Sequence, residues 1–490
     1  MPNSRVIRIQ PSDDATMERG IAQIRREMRL PGAFPPDVEA AAAKAAANPR
    51  LPELDRTDIP LVTIDPPGSM DLDQAMWLER NGEGYRVHYA LADVAAFVTA
   101  GDAVDAEAHR RGETLYGGRS TIPLHPTVLC ENAASLLPDQ VRPSILWTID
   151  LDAAGGIATI DVRRARVRSR QKCGYPTVQQ ALDAGSADPV WSLLREIGRK
   201  RQALEKARGG VSLSLPDAEI GCTDGQWELE YRTSLPVEDW NAQISLLTGM
   251  AAAKLMVEAK VGLLRTLPPP DEGSIARLRL TAQALHIPWP RGQSYPHFIR
   301  TLDPMQDRHV AMMMACTTVL RGAGYAAFDG ALPAQPLHSA IAAEYAHVTA
   351  PMRRLADRHA NEVCVALCAG APVPDWARSA LPGLPATMDA SGRLAHRFER
   401  AIIDLAEAVI LAPRVGETFA GAIIEVARGG PGDRNARGAS AAHAGIVMLR
   451  DPAIEARVTS ADELPLGEEV AVRLVHADPA RRVVEFAAAG

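Results

Sequence analysis

The chain has 490 residues, of which 47% are hydrophobic and 23% charged, and its formal net charge is −7. That length exceeds one ordinary core and the balance is that of a globular protein, which excludes a largely disordered chain, a collagen-like repeat and a disulfide scaffold. The acidic surplus argues against a generic polyanion coat but leaves room for a local basic channel that contacts phosphates.

Residues 1–55 read as a helical N-terminal segment. Asp13 or Asp14 can cap a helix over about Ala15–Leu30, with Met17, Ile21, Ile24 and Met28 as its apolar stripe. Pro35-Pro36-Asp37 then opens an Ala-rich helix that Pro49 stops. Two helices around a short Gly- and Pro-containing turn fit a helical cap on the next domain, or a helix-turn-helix-like reader of nucleic acid; the cap is the simpler reading. Over residues 56–412 the character is mixed. Ile59–Asp65, Tyr85–Phe97 and Ile145–Leu151 read as strands, and Pro189–Lys206, Trp240–Leu264, Ser274–Ala284, Asp307–Leu320 and Pro351–Leu367 as helices. Runs of strands followed by runs of helices argue for an α+β domain. Pro268-Pro269-Pro270 interrupts it, and Ala371–Pro385 reads as a Pro-rich loop. Residues 413–490 turn all-β. Phe419–Val426, Ile446–Arg450, Glu455–Thr459, Glu469–Val475 and Arg482–Phe486 make five short strands, the pattern of a small OB-fold β-barrel.

The six cysteines (Cys130, Cys173, Cys222, Cys316, Cys364 and Cys368) form no CxxC pair. Cys364 and Cys368 lie one helical turn apart and read as a small buried pair, a usage that suits a reducing cytoplasm. Met1–Gln10 is polar, and the most apolar stretch, Leu246–Leu264, is broken by Lys254, Glu258 and Lys260. A soluble, cytoplasmic protein without a membrane span is therefore expected.

The sharpest signal is Thr63-Ile64-Asp65-Pro66-Pro67-Gly68-Ser69-Met70-Asp71-Leu72-Asp73-Gln74-Ala75. If Asp71–Asp73 is extended, both carboxylates project from one face. Carboxylates that close repel, and one takes up a proton unless a cation bridges them. Mg²⁺, held by one or two carboxylates plus substrate phosphates, is the usual answer, and phosphodiester hydrolysis is chemistry of that kind. The plainer reading is a polar loop that caps the next element; an EF-hand calcium loop has a different spacing.

A second signal is Tyr345-Ala346-His347-Val348-Thr349-Ala350-Pro351-Met352-Arg353-Arg354-Leu355-Ala356-Asp357-Arg358-His359. Thr349 reads as an N-cap and Pro351 as part of a first helical turn. Arg353 and Arg354 then lie at the positive end of the helix dipole, where a phosphate would be welcome. A local pair with Asp357 is the structural alternative, and the two readings coexist. In Arg164-Ala165-Arg166-Val167-Arg168-Ser169-Arg170-Gln171-Lys172, an extended strand would carry five cations on one face. That is either a basic stripe along an RNA path or the charged face of an edge strand. His347 and His359 flank the arginines without a nucleophile partner and read as core or surface histidines.

Asp65-x5-Asp71-x-Asp73 after a strand, joined to Thr349-Ala350-Pro351-Met352-Arg353-Arg354, resembles the RNB catalytic domain of the ribonuclease II / ribonuclease R family. Tyr89-Ala90-Leu91-Ala92-Asp93-Val94, Gly112-Glu113-Thr114-Leu115-Tyr116 and Ile122-Pro123-Leu124-His125-Pro126 are similar to further segments of that domain, so the resemblance covers about Arg56–Pro413. It implies an RNB-type catalytic domain followed by an RNA-binding OB barrel. It also implies processive 3′→5′ exoribonuclease activity on single-stranded RNA, Mg²⁺-dependent, releasing nucleoside 5′-monophosphates from a monomeric enzyme. By position, Asp65, Asp71, Asp73 and Gln74 are implied metal ligands, with Asp71 and Asp73 also catalytic. Arg353 is implied to stabilise the transition state at the scissile phosphate. Tyr116 and Tyr175 are implied to stack on bases near the 3′ end, and stacking reads no sequence. Glu399, in Phe398-Glu399-Arg400, resembles the family's Ala-Glu-Arg glutamate, and Arg354, Arg166 and Arg168 are further expected RNA contacts.

Three departures stand out. Gln74 occupies the place of a usual fourth aspartate, which makes an RNA-binding protein with weakened catalysis the alternative reading. The 55 residues ahead of the catalytic region are too few for two cold-shock domains, so the helices are expected in their place. The barrel has only Phe419 and Phe486 as aromatics, and the loop Arg428–Arg437 is expected to offer another RNA contact. A metal-stabilised structural domain would explain the aspartates but leave Tyr116 and Arg353 idle.

Overall fold

The computed structural model describes residues 4–8, 14–66, 68–117, 121–213, 217–223, 226–232, 234–426, 443–449 and 454–489. The loop Arg428–Arg437 lies outside them. The chain opens with a strand, β1 (Ser4–Arg8), then α1 (Asp14–Glu27) and α2 (Pro36–Ala47). The mixed helix-and-strand region follows with β2 (Val62–Asp65), β3 (Gln74–Asn81), β4 (Gly84–Ala92), α3 (Ala103–Arg111), β5 (Val141–Leu151), β6 (Ile157–Arg168) and β7 (Gln171–Gly174).

These strands form one sheet in the order β6-β5-β4-β3-β2-β7. Strands β6 and β7 lie at opposite edges although only Ser169 and Arg170 separate them, so the sheet must curl until its edges approach. Arg56 N donates to Arg166 O at 2.8 Å and Arg170 N to Leu61 O at 2.8 Å, which stitches the two edges through the segment that leads into β2. Strand β4 is buried along nearly its whole length, as a central strand covered on both faces must be.

Next come α4 (Tyr175–Asp183), α5 (Pro189–Arg208), β8 (Asp217–Thr223), β9 (Gln226–Arg232), α6 (Pro236–Ala259), β10 (Val261–Thr266), α7 (Glu272–Ala284), α8 (Tyr295–Ile299) and α9 (Asp307–Thr317). The single helix expected over Trp240–Leu264 is therefore divided. Lys260 takes a left-handed turn, with φ 57°, and the apolar run after it becomes β10. Then follow β11 (Gly324–Asp329), β12 (Leu337–His338), β13 (Ala343–Glu344), α10 (Leu355–Cys368), α11 (Asp375–Ala380) and the 28-residue α12 (Leu384–Leu411). The stretch Ala371–Pro385, expected as a loop, contains α11 and the start of α12, because a proline at a helix start loses no hydrogen bond.

The main core lies between the sheet and the helices on it. Tyr85, Tyr89 and Trp147 of the sheet are fully buried among Leu194 and Ile197 of α5, Ile244 and Leu247 of α6, and Ala356, Ala360 and Val363 of α10. Trp147 Nε1 donates to Asn361 Oδ1 at 3.2 Å, fixing the height of α10 on the sheet. Cys364 is buried in the same core as a free thiol.

The N-terminal helices dock separately. Met17, Ile21 and Ile24 of α1 pack against Phe398, Ile402 and Leu405 of α12, whereas Val38 and Ala42 of α2 share a cluster with Val104 of α3 and Leu129. Strand β1 pairs with β9, extending the β8–β9 hairpin to three strands, an element the helical reading of residues 1–55 did not include.

The C-terminal strands β14 (Thr418–Val426), β15 (His443–Leu449), β16 (Glu455–Ser460), β17 (Glu469–Asp478) and β18 (Val483–Ala488) close into a barrel in the order β14-β15-β16-β18-β17. Phe419 and Phe486 meet edge to face inside it, 5.7 Å between centroids. Both rings are thus spent on the barrel core. Helices α7–α9 form a small cluster that continues onto the barrel through Ile424, Ile446 and Met448. Among the described residues no helix is long and apolar enough to cross a membrane.

Candidate active site

The site begins where β2 ends. Strand β2 runs parallel to β7 with Asp65 opposite Gly174, which sets Tyr175, the first residue of α4, beside the Asp65 carboxylate. The following loop is pinned by its buried leucine. Leu72 is fully buried, its N–H donates to Ser135 Oγ at 3.0 Å, and Ser135 donates to Met70 O at 2.6 Å. With Leu72 turned inward, Asp71 and Asp73 flank it on the other side.

Asp73 is 5% exposed and accepts the Met352 N–H at 2.8 Å, while Arg353 Nε stands 3.6 Å from its second oxygen. Burial pushes the Asp73 carboxyl up to about 7, against the pull of Arg353 and Met352. Asp65 is likewise raised to about 7, by burial and by the nearby Asp71, with Lys172 and Arg353 opposing. The three aspartates therefore share one electrostatic neighbourhood with a surplus of negative charge.

Arg353 arrives by a route different from the one the sequence suggested. Helix α10 begins at Leu355, not in the Thr349–Pro351 turn, so neither arginine lies inside its first turn. Asp357 does, and it accepts the Ala350 N–H at 2.7 Å and both arms of Arg354, at 2.9 and 2.8 Å. The expected local ion pair thus forms and consumes Arg354. The neighbouring strand-like segment contributes Tyr116. Thr114 N donates to Arg353 O and Leu355 N to Gly112 O, each at 3.0 Å. This pairing sets the Tyr116 hydroxyl against the Arg353 guanidinium, with the residue 46% exposed. Tyr175 accepts a hydrogen bond from Asn241 Nδ2 at 3.0 Å. Burial raises both phenols, to about 12.

Asp65, Asp71, Asp73, Arg353, Tyr116 and Tyr175 are thus gathered, and other expectations need correction. Gln74 is not free to ligate a metal. Its Nε2 donates to Thr349 O at 2.6 Å, and its Oε1 accepts the Tyr89 hydroxyl, with Ser245 Oγ 3.5 Å away. The five-cation stripe does not form. Strand β6 stops at Arg168; Arg164 is bound by Asp93 and Glu362, Arg166 pairs with Asp55 at 3.2 Å, and Lys172 sits in β7, bonded to Ser69 O. Arg168 is exposed at the end of this edge strand, outside the gathered set. Glu399 lies on an exposed face of α12; Asp389, Gly392, Arg393 and His396 of that helix instead line a cavity of about 1080 Å³ with Glu113, Arg265, Tyr325, His347 and Arg354. His347 is a half-buried histidine there, its Nδ1 2.6 Å from the Tyr325 hydroxyl.

Sequence reasoning passed over Met352, Tyr89, Ser245 and Asn241. The Met352 contact is made by the main chain and leaves no side-chain signature. Asn241 and Ser245 lie one turn apart on α6, but Gln243, Thr248 and other polar residues of that helix keep the pair from standing out.

The side chains able to hold a divalent cation are Asp65, Asp71 and Asp73. Among the described residues no three His, Cys, Asp or Glu side chains close into a ready cage. Carboxylate oxygens are the donors that a cation such as Mg²⁺ would take together with waters and phosphate oxygens.

A family model described as the RNB domain matches residues 54–367, and one described as the RNase II-type exonuclease C-terminal S1 domain matches residues 417–489. Ribonuclease R of Escherichia coli (strain K12) is 28% identical over 353 residues, covering 68% of this chain and 43% of that protein. Exoribonuclease 2 of Vibrio vulnificus (strain YJ016) is 29% identical over 199 residues, covering 39% and 30%. The chain thus spans less than half the length of these curated relatives. Mycoplasma genitalium RNase R in complex with ribose methylated single-stranded RNA shares the fold, with a TM-score of 0.84 at 19% identity over 97% of this chain and 78% of that one. Yeast Ssd1, a pseudonuclease, shares it with a TM-score of 0.67 at 16% identity over 96% and 58%. The chain belongs to the RNB domain family and carries after that domain an S1 domain of the RNase II exonuclease type.

Proposed function

We propose that this chain is a 3′→5′ exoribonuclease that hydrolyses single-stranded RNA processively to nucleoside 5′-monophosphates, with Mg²⁺ as its cation. The observation that carries the reading is the meeting of Asp73 with Met352 and Arg353, which joins the acidic loop to the arginine segment. Family membership and the RNA-bound structure of a fold relative support it.

In this reading, Asp65, Asp71 and Asp73 would hold the cation, which would supply charge neutralisation at the scissile phosphate and activation of the attacking water. Arg353, fixed beside Asp73 and Tyr116, faces the oxygens on which charge builds as water adds to phosphorus. The 3′-oxygen of the penultimate nucleotide leaves with a proton, and the terminal nucleotide departs as its 5′-monophosphate. Tyr116 and Tyr175 offer ring faces to the last bases, which any base can use.

Incubating the protein with 5′-labelled poly(A) and Mg²⁺ tests the reading: a ladder descending to a short limit product supports it, and chelation of the metal stops the decay. The second reading, an RNA-binding protein with weakened catalysis, draws on Gln74, which adds no carboxylate and is spent on protein contacts. A stable shifted complex without decay would favour that reading.

A further inference from the structure

We propose that Gln74 is a positioning residue: it fixes the Thr349–Arg353 segment, and through it the Arg353 guanidinium, instead of binding metal. The inference rests on the exoribonuclease reading for its effect on rate, but its structural half stands apart from that reading.

The segment between Thr349 and Arg354 is outside regular structure, so its shape depends on individual bonds. The bonds that tie it to neighbouring elements include Gln74 Nε2 to Thr349 O at 2.6 Å, Ala350 N to Asp357 at 2.7 Å, Met352 N to Asp73 at 2.8 Å and Thr114 N to Arg353 O at 3.0 Å. Two of these come from the adjacent side chains of Asp73 and Gln74 at the start of β3, Gln74 gripping Thr349 and Asp73 gripping Met352. Between them the chain turns, with Arg353 N donating to Ala350 O at 3.2 Å. Arg353 leaves this turn with its side chain 44% exposed, and its reach is set by where the turn is held.

The Gln74 amide has one orientation that satisfies its surroundings. Its oxygen accepts the buried Tyr89 hydroxyl, and Ser245 Oγ lies 2.9 Å from that hydroxyl and 3.5 Å from the amide oxygen. The Thr349 carbonyl can only accept, so the NH₂ group must face it, and the amide oxygen is left to the hydroxyls on the other side. An aspartate cannot make this bridge, because a carboxylate accepts and does not donate. A glutamate keeps the length but sets negative charge against a carbonyl oxygen. Methionine keeps the length and apolar bulk while removing both bonds.

Hydrogen exchange and single-turnover decay of 5′-labelled oligo(A) test the two halves. In Gln74→Met, amide exchange of the peptide spanning Thr349–Arg354 is expected to rise at least about tenfold, RNA affinity to stay within about threefold, and the saturated decay rate to fall about thirtyfold or more. Arg353→Ala is expected to slow the wild type far more than it slows Gln74→Met. Gln74→Glu gives a second variant of the same length should Gln74→Met fail to fold. Unchanged exchange overturns the anchor, and independent, multiplying losses in the double variant overturn its link to Arg353. Faster decay in Gln74→Asp, with less Mg²⁺ needed for half-maximal rate, would make position 74 a ligand position and also overturn the proposal. If the wild type degrades no RNA, the enzymatic reading has failed, and the exchange result still decides the anchor.

Discussion

The Met352 N–H donates to the Asp73 carboxylate at 2.8 Å across a sequence separation of 279 residues. That bond joins the loop after β2 to the segment before α10, and it separates the structural role of Asp73 from its electrostatic one. An asparagine at position 73 still offers an oxygen to Met352 but no charge to Arg353 or a cation. Asp73→Asn is therefore expected to fold, to bind RNA within about threefold of the wild type, and to lose about two to three orders of magnitude in decay rate, the scale of one lost electrostatic element. Gel shift and single-turnover decay read the two quantities, and equal loss of both would assign Asp73 to binding.

Tyr116 makes two separable contributions, a hydroxyl against Arg353 and a half-exposed ring. If the ring grips the RNA near its 3′ end, Tyr116→Ala lengthens the shortest product while Tyr116→Phe leaves that length unchanged and affects only the rate. Sequencing-gel resolution of the limit product checks both. An unchanged end point in Tyr116→Ala removes the ring from the grip.

The acidic loop and the arginine segment were legible because their chemistry is written in side chains at short spacing, and the barrel because five alternating strands leave a periodic trace. The start of α10 was not, because Pro351 invites a helix start locally, and what delays it to Leu355 is the tertiary pairing of residues 353–355 with Gly112–Thr114. The basic stripe failed for a similar reason. Alternation placed the arginines on one face, but Asp55, Asp93 and Glu362, distant in sequence, neutralise them there. Glu399 was placed by a local triplet, and only the packing of α12 tells which of its faces meets the cavity. Gln74 could be identified as a departure, yet its partners Thr349 and Ser245 come from other elements.

Gly249 is where α6 lets the chain approach the segment leading to Thr349. A Cβ at this position would lie 2.1 Å from Tyr345 Cε2 and 2.6 Å from Ala346 O, and the second contact, being main chain, cannot swing away. Ala346 N also donates to Gly249 O at 3.1 Å. Gly249→Ala is expected to cost about 1–3 kcal/mol as an overpacked site and to displace the Thr349–Arg353 segment as well. Chemical denaturation should show the lowered midpoint and a decay assay the lost rate. A variant as stable as the wild type would contradict the close approach.

His359 predicts a pH dependence away from the carboxylates. Its ring is 1% exposed, neither ring nitrogen has a hydrogen-bond partner, and it packs between His109 and Trp376, with Asp105 the nearest opposing charge. Burial, then Arg358 and His109, pushes it down to about 3. A histidine whose folded pKa lies below its unfolded one is held neutral, so the unfolded chain binds the extra proton. The stability this supplies is complete above pH 6.5 and is lost as the pH falls from 6.5 toward 3, at up to about 1.4 kcal/mol per pH unit. Between pH 7 and pH 5, His359→Leu, which leaves nothing to protonate in that pocket, should therefore gain stability relative to the wild type; Asp65 and Asp73, raised to about 7, act alike in both proteins and cancel in the difference. Denaturation midpoints at the two pH values decide it, and equal losses in both proteins would mean that the ring acquires its proton without unfolding the helix around it.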